Sequence, residues 1–487
     1  MNVPRTPALV VLVALAVGAV LFAADPAPRG IGVELPTAAA EVSTSGTSGD
    51  LWFCLGPTAD LDGVAERVVT LVSYSSGDTE GRVTVADDTG RVVERSVMVA
   101  AGSHLDVRPG RYVPEATWAG VTVEVPGGRV IVEDAIVGGE TNGGLDRGAC
   151  ITTTSASWQV PWATTSRPGN RAVLLLYNPF RAPAVADLRF IGDIGRRETL
   201  DSQGIVVSGR SVSVFDLTER IADSAVVSAT VDVRVGQLVV ARLQIADGTG
   251  PTGLRGLDLA YGVPRASPRL FLPGASGESG ASLVVLNPGD AYVEAEVVVL
   301  PEDPSVFVEP RRVVLRGRQR QVVEFERGLA RSIGSYGLEV HSLDGQPLAA
   351  SLVDRTITKR SIENSELEID SGLATRPATD VGATRWRFRL IGDPTFLQVL
   401  DVANPATATI SRLRFESLSG EPIDWLPGEV EIQPASQVRF VVPNEADVTI
   451  DLDSDVAVVA GLYGTASNAS TWIDGVVIAG TASRLGS

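Results

Sequence analysis

Histidine, cysteine and lysine are almost missing from this 487-residue sequence, which has two His and two Cys and, among 41 basic residues, a single lysine, Lys359. Two histidines, beside two cysteines that read as paired to each other, cannot supply the usual ligand set of a zinc site, and no cofactor is implied. His104 and His341 are also the only imidazoles available for acid–base work. Asp106 stands near Ser103-His104, but neighbours on a strand point to opposite faces and a catalytic triad needs convergence in space. His104 therefore reads as an ordinary turn residue, and His341, beside the Asp344-Gly345 turn, reads the same way. No nucleophile, base and orienting group assemble from this inventory, so the expectation is a non-enzyme. Aromatic residues make up 5% of the chain, and no long stretch repeats with helical period, which argues against a helical bundle. Basic charge is in deficit too: 59 acidic residues leave a net charge of −18, spread along the chain, which disfavours nucleic acid and anionic headgroups.

What is present is repetition. Four segments open with similar runs: Leu51-Trp52-Phe53-Cys54, Trp158-Gln159-Val160-Pro161, Leu270-Phe271-Leu272-Pro273 and Arg385-Trp386-Arg387-Phe388. Each continues into an apolar run that stops abruptly, at Ser75-Ser76, Asn178-Pro179, Asn287-Pro288 and Asn404-Pro405. Proline lacks the amide the next ladder bond needs, and asparagine tolerates turn dihedrals, so these stops read as a shared turn. About thirty residues on comes a small turn, at Ala101-Gly102, Ser208-Gly209, Arg316-Gly317 and Pro434-Ala435. A closing hairpin follows, with turns at Val125 to Gly128, Arg234 to Gly236, Leu343 to Gly345 and Asp453-Ser454-Asp455. Apolar and polar residues alternate throughout, as in Ser211-Val212-Ser213-Val214-Phe215. The segments near Thr218 to Ser224 and Arg327 to Ser332 read as one or two turns of helix bridging the sandwich. Stops recur at 103, 109 and 117 residues, the size of an immunoglobulin-type domain and well above a solenoid repeat.

The pattern predicts an all-β chain: four tandem immunoglobulin-like antiparallel β-sandwich domains at 51–150, 156–262, 268–372 and 380–487, after an N-terminal transmembrane helix. Residues 8–24 form an uncharged apolar run behind a short cytoplasmic N-terminus at 1–7, with Leu9, Val10, Val11, Leu12, Leu15, Val20, Leu21 and Phe22 as its apolar face toward lipid. The run reads as a signal anchor or as a cleaved signal peptide; both export the rest of the chain. Residues 25–50, rich in Pro, Ala, Ser, Thr and Gly, read as a flexible tether. In an oxidising compartment Cys54 and Cys150, which bracket the first domain, read most simply as a disulfide.

Other motifs carry less. Gly248-Thr249-Gly250-Pro251-Thr252-Gly253 has the spacing of a dinucleotide fingerprint, but no helical pattern follows, so it reads as an interdomain linker. Asp451, Asp453 and Asp455 alternate along a strand and read as a solvated acidic face, with a weak calcium site left open; Val456 and Leu462 stand where an EF-hand loop wants Gly and Glu. Trp52, Trp158 and Trp386 recur at the opening runs and suit sandwich ends or joints, whereas Trp118, Trp162, Trp425 and Trp472 do not recur and are candidates for exposed sugar-stacking residues. Asn468-Ala469-Ser470 has the short glycosylation pattern.

The N-terminal apolar run, the polar tether, Trp52-Phe53-Cys54 with Gly56-Pro57 close behind, the Asn-Pro stops and the arginine-rich composition together resemble a family of actinobacterial exported proteins of unknown function. Members tend to carry proline directly after the cysteine, where this chain has Leu55. The resemblance implies an anchored extracytoplasmic protein with no recognised activity, and it points toward the cell wall. The expected role is a cell-envelope interaction or scaffold protein whose partners are envelope proteins or cell-wall polysaccharide, at the cell membrane or secreted if the segment is cleaved. The alternative is a carbohydrate-binding protein for wall glycans that uses exposed aromatics.

Overall fold

The structure is a computed structural model that describes residues between 51 and 484. Residues 1–50 lie outside the description, as do 59–63, 128, 139–143, 251–253, 276–280, 326–331, 363–364, 392–396, 420, 467–468, 475, 478–481 and 485–487. The tether, the apolar segment from Leu9 to Phe22 and Asn468 therefore fall outside it. The described chain is all-β and antiparallel, with helix confined to short turns such as Pro109–Tyr112 and Leu217–Arg220. The second of these fulfils the expected turn near Thr218; the first stands at the matching place in the first segment.

Along the chain the sheets come in pairs with one strand order. In the first pair, strand Leu51–Pro57 lies beside Trp118–Glu124, then Thr79–Asp87, then Val92–Val99. Its companion sheet runs His104–Val107, Ala65–Ser73, Val130–Gly138, Leu145–Ala149. The same companion order recurs as Ser211–Asp216, Asn170–Asn178, Val239–Asp247, Arg255–Tyr261, and again as Gln319–Phe325, Ala281–Asn287, Ala349–Ile362, Ser365–Pro377. In the fourth copy it is Ser436–Val442, Leu397–Asn404, the second half of Asp447–Ala466, and Ala469–Asp474. Each pair encloses apolar side chains on facing strands, with Trp52, Trp158 and Trp386 at most 1% exposed inside the first, second and fourth.

The Asn-Pro stops have a physical role beyond ending strands. Asn178, Asn287 and Asn404 are the last residues of their strands and are at most 1% exposed. Each side-chain carbonyl accepts the backbone N–H two residues on, from Phe180, Gly289 and Ala406 at 3.0 to 3.1 Å. Each amide donates to carbonyls on both sides of the turn: Asn178 to Ala182 and Val207, Asn287 to Ala291 and Arg316, Asn404 to Thr409 and Ile432. One side chain thus satisfies three buried backbone groups, which proline cannot. In the first copy this place belongs to Ser73, two residues ahead of the expected Ser75-Ser76, because Ser73 ends its strand and accepts from Ser75 N–H at 3.3 Å. The small turns also align, with positive φ at Gly102, Arg210, Arg318 and Ala435. Gly209 and Gly317 are required because a Cβ there would collide with the carbonyls of Arg181 and Asp290.

Three sequence expectations are corrected. The Gly248 to Gly253 stretch joins two strands of one sheet, Val239–Asp247 and Arg255–Tyr261, so it connects a hairpin and not two domains. Asp453-Ser454-Asp455 is not a turn: Asp447–Ala466 is continuous and passes from one sheet to the other, with a register shift opposite Ala383/Arg385. The expected boundary at 372 falls inside strand Ser365–Pro377.

Edge strands with free N–H groups are a liability, and here they are turned inward. Leu145–Ala149, Arg255–Tyr261, Ser365–Pro377 and Ala469–Asp474, the last strands of the four companion sheets, lie against one another in a closed cycle. Asp146 and Asp258 occupy matching places on the first two. Asp146 accepts the N–H of Leu259 at 2.6 Å, and Asp258 accepts the N–H of Thr375 at 2.8 Å, each carboxylate capping the neighbouring strand's edge. The sheet pairs thus form a ring, each pair meeting the next through a junction.

Candidate functional site, a groove where the ring closes

Each junction sets the outer sheet of one pair against the companion sheet of the next. At the first, the Tyr177 ring lies flat over Gly120, where a Cβ would stand 2.5 Å from ring carbons, and its hydroxyl meets Thr122 Oγ1 at 2.7 Å. Burial pushes the Tyr177 phenol up to about 12. Leu55 N–H donates to the Tyr261 hydroxyl, and buried Arg67 forks onto Asp134 close by. At the second junction buried Arg242 pairs with Asp258, donates to Thr375 Oγ1 and stacks on Trp162. At the third, buried Arg376 pairs with Asp354 and lies 4.1 Å over the Tyr463 ring, and Phe271, Leu300, Ala403 and Val459 form an apolar seam.

One strand position decides how each junction is filled. It faces the residue before the turn anchor and is held by Val212, Arg320 and Gln437 in the second to fourth copies. Val212 is buried. Arg320 crosses to Asp193 Oδ1 at 2.7 Å and to the carbonyls of Val226 and Gly192. Gln437 crosses to Gly274 N–H and Ser335 Oγ, both at 3.0 Å. In the first copy the residue is His104, opposite Val72.

At that closing junction, between the fourth pair and the first, the surfaces part. A groove of about 570 Å³ opens, lined from the first copy by Val72 to Ser76 and Gly102 to His104, and from the fourth by Arg389, Ser417 to Ser419 and Asp447 to Thr449. Its edge is held by Arg387, which forks onto Asp451 at 2.6 and 2.7 Å with its guanidinium 4.0 Å over the Tyr74 ring. Arg389 and Asp447 approach to 3.9 Å, one charge of each sign. His104 is exposed and its imidazole has no hydrogen bond among the described residues. Hydroxyls line it at Ser73, Ser75, Ser76, Ser103, Ser417, Ser419 and Thr449, with Val72, Tyr74, Leu418 and Val448 between them. The tempting triad does not form, since Asp106 accepts from Thr70 Oγ1 at 2.9 Å on the strand and not from His104. The groove can offer donors and acceptors over a broad surface; it holds no aligned nucleophile and base.

The remaining sequence candidates fall elsewhere. Cys54 and Cys150 are bonded, with Cα atoms 4.9 Å apart and both side chains buried, so the metal-like grouping of these sulfurs with Asp134 is closed. His341 lies 3.5 to 3.6 Å from Glu339 and Glu296 on a strand surface. Asp451 and Asp453 are not a free acidic face: Arg387 and Arg385 pair with them, and Asp455 accepts the N–H of Arg412. Trp118 and Trp162 are at most 4% exposed and Trp425 packs half-buried on the fourth core, so none of the three is an open stacking platform. Trp472 lies on inner strand Ala469–Asp474. The membrane-anchor residues from Leu9 to Phe22 are outside the described residues; among those described, no helix is long and apolar enough to cross a membrane. Sequence reasoning missed the groove, although one signal marked it: the first copy alone replaces Asn-Pro with serines, and those serines line it.

A model of DUF5719, a family of unknown function, matches residues 135–367, which takes in the second sheet pair and most of the third. A crystal structure of a tetra-tandem repeat in the extending region of a large adhesion protein aligns at 10% identity over 89% of this chain and 98% of that one, with a TM-score of 0.11. No curated protein matches the chain.

Proposed function

We propose that this chain is an extracytoplasmic interaction protein of the cell envelope, held at a membrane by its N-terminal apolar segment, in which four immunoglobulin-like sandwiches act as one rigid body that presents partners at fixed spacing. The observation that carries the reading is the ring. Four edge strands turned inward, two of them capped by Asp146 and Asp258, remove the freedom that a string of domains would keep, so distances between surface sites are preset. A buried disulfide supports an oxidising compartment, where such bonds persist. Neither feature serves turnover; both serve a durable surface.

The test is to tag the full chain in its own host, fractionate the cells, and crosslink intact envelopes. The expected outcome is recovery with membranes, thiols fully oxidised, and crosslinks to a small set of envelope proteins or wall polymer. Recovery in the cytoplasm with free thiols would overturn the reading. The carbohydrate alternative loses Trp118, Trp162 and Trp425 as open platforms but gains a different location, the groove beside His104.

A further inference from the structure

We infer that the groove at the ring closure is a binding site for an uncharged polyhydroxylated ligand, a short oligosaccharide. The inference rests on the reading of the chain as a binding protein and assigns that reading a site. At the other junctions the position opposite the residue before the turn anchor is spent on sealing the joint, by Val212, Arg320 or Gln437. At the closure the same position carries His104, which seals nothing and faces about 570 Å³ of open space. Position 102, whose counterpart Arg210 reaches across to Glu94 at 2.5 Å, is a glycine here. One place that seals the other junctions, and a second that bridges the first of them, are thus cleared at one joint.

The chemistry of the lining selects the ligand. Hydroxyls and an imidazole both donate and accept, which matches sugar hydroxyls better than it matches a phosphate or carboxylate that only accepts. Arg389 is faced by Asp447, so the groove has no surplus of positive charge, and the −18 net charge of the chain repels anionic polymers. Leu418, which is exposed at the groove, supplies apolar surface for the C–H face of a sugar ring. The volume falls in the range of about 300–1,000 Å³ usual for small-molecule sites.

The experiment titrates the full chain with maltotriose, cellotriose and chitotriose, and with tripolyphosphate as anionic control, read by saturation-transfer NMR and calorimetry. At least one trisaccharide binds, at least tenfold more weakly to His104→Ala and not at all to Ser417→Trp, which fills the groove, while His341→Ala binds as the unaltered chain does. Thermal melts of the variants establish that they are folded. Absence of binding by all three sugars, sugar binding indifferent to both groove changes, or tighter binding of tripolyphosphate than of any sugar overturns the inference. Envelope crosslinks of His104→Ala separate the two claims: an unchanged pattern with lost sugar binding supports both, while an unchanged pattern with no sugar binding by any form leaves the interaction role standing and removes the site.

Discussion

The first junction and the closing junction are made by corresponding strands, yet one is filled and the other is open. Tyr177 lies flat on Gly120 with its hydroxyl satisfied by Thr122, whereas Val72, its counterpart at the closure, borders a groove walled by serines. The polar links differ as well. Arg242 and Asp258, at the second junction, have side chains at most 3% exposed, while Arg387 and Asp451, beside the groove, are 12 and 13% exposed. A joint can therefore be held by burial or by a surface link that leaves space beside it. The repeat uses burial where only rigidity is needed.

This contrast can be broken by paired substitutions, the largest expected loss first and its closing-junction counterpart beside it. Asp258→Ala leaves the Arg242 guanidinium buried without its partner and should cost about 3–5 kcal/mol in chemical denaturation. Asp451→Ala at the closure should cost about 1 kcal/mol or less, since that pair reaches water; equal losses would show that both joints are built alike. Replacing Cys54 and Cys150 with Ser releases a closure of 96 residues in sequence and should cost about 2–5 kcal/mol, read as a lowered midpoint without change at the other sheet pairs in hydrogen exchange. Asn404→Ala strands several buried backbone groups and should cost about 2–3 kcal/mol, against about 1 kcal/mol for Ser73→Ala, whose hydroxyl does a smaller version of the same task.

Titration sharpens the comparison from another side. Tyr177 is held neutral by burial, with its pKa raised to about 12 from 10.0. The unfolded phenol ionises first as pH rises, so this contribution is fully present below about pH 10 and is lost as pH climbs toward 12, by about 2–3 kcal/mol. Tyr177→Phe should flatten that alkaline slope in a pH series of denaturation curves. The smallest effect belongs to the groove: His104→Ala should move stability by no more than about 0.5 kcal/mol, as expected of an exposed residue with no bond to lose.

Much of this architecture was legible because repetition reports on itself. The Asn-Pro stops stand at matched places since each Asn must end a strand and fill one turn, a demand visible as a dipeptide. Ser73 escaped notice because a hydroxyl meets a reduced version of that demand without a recognisable motif. The continuous strand Asp447–Ala466 was misread as a hairpin because Asp453-Ser454-Asp455 has turn composition, while its aspartates are in fact matched across the sheet by arginines. The inward ring was not readable at all. Its information sits in pairs such as Asp146 with Leu259 N–H, which no local pattern connects. The groove was half-legible, as a departure from the repeat whose meaning depended on knowing what lay across from it.

The cycle of inner strands also sets an order in time. The contact of Leu145–Ala149 with Ala469–Asp474 joins the inner strands most distant in sequence, so it carries the largest loop-closure cost of the cycle and is expected to form last. Until then the first pair presents a bare strand edge, and the folding chain resembles an open clasp that could catch its own kind. Kinetics, more than the depth of the native minimum, would then set how much of this protein reaches its ring, and a single weak closure is where chaperone assistance would have the greatest leverage.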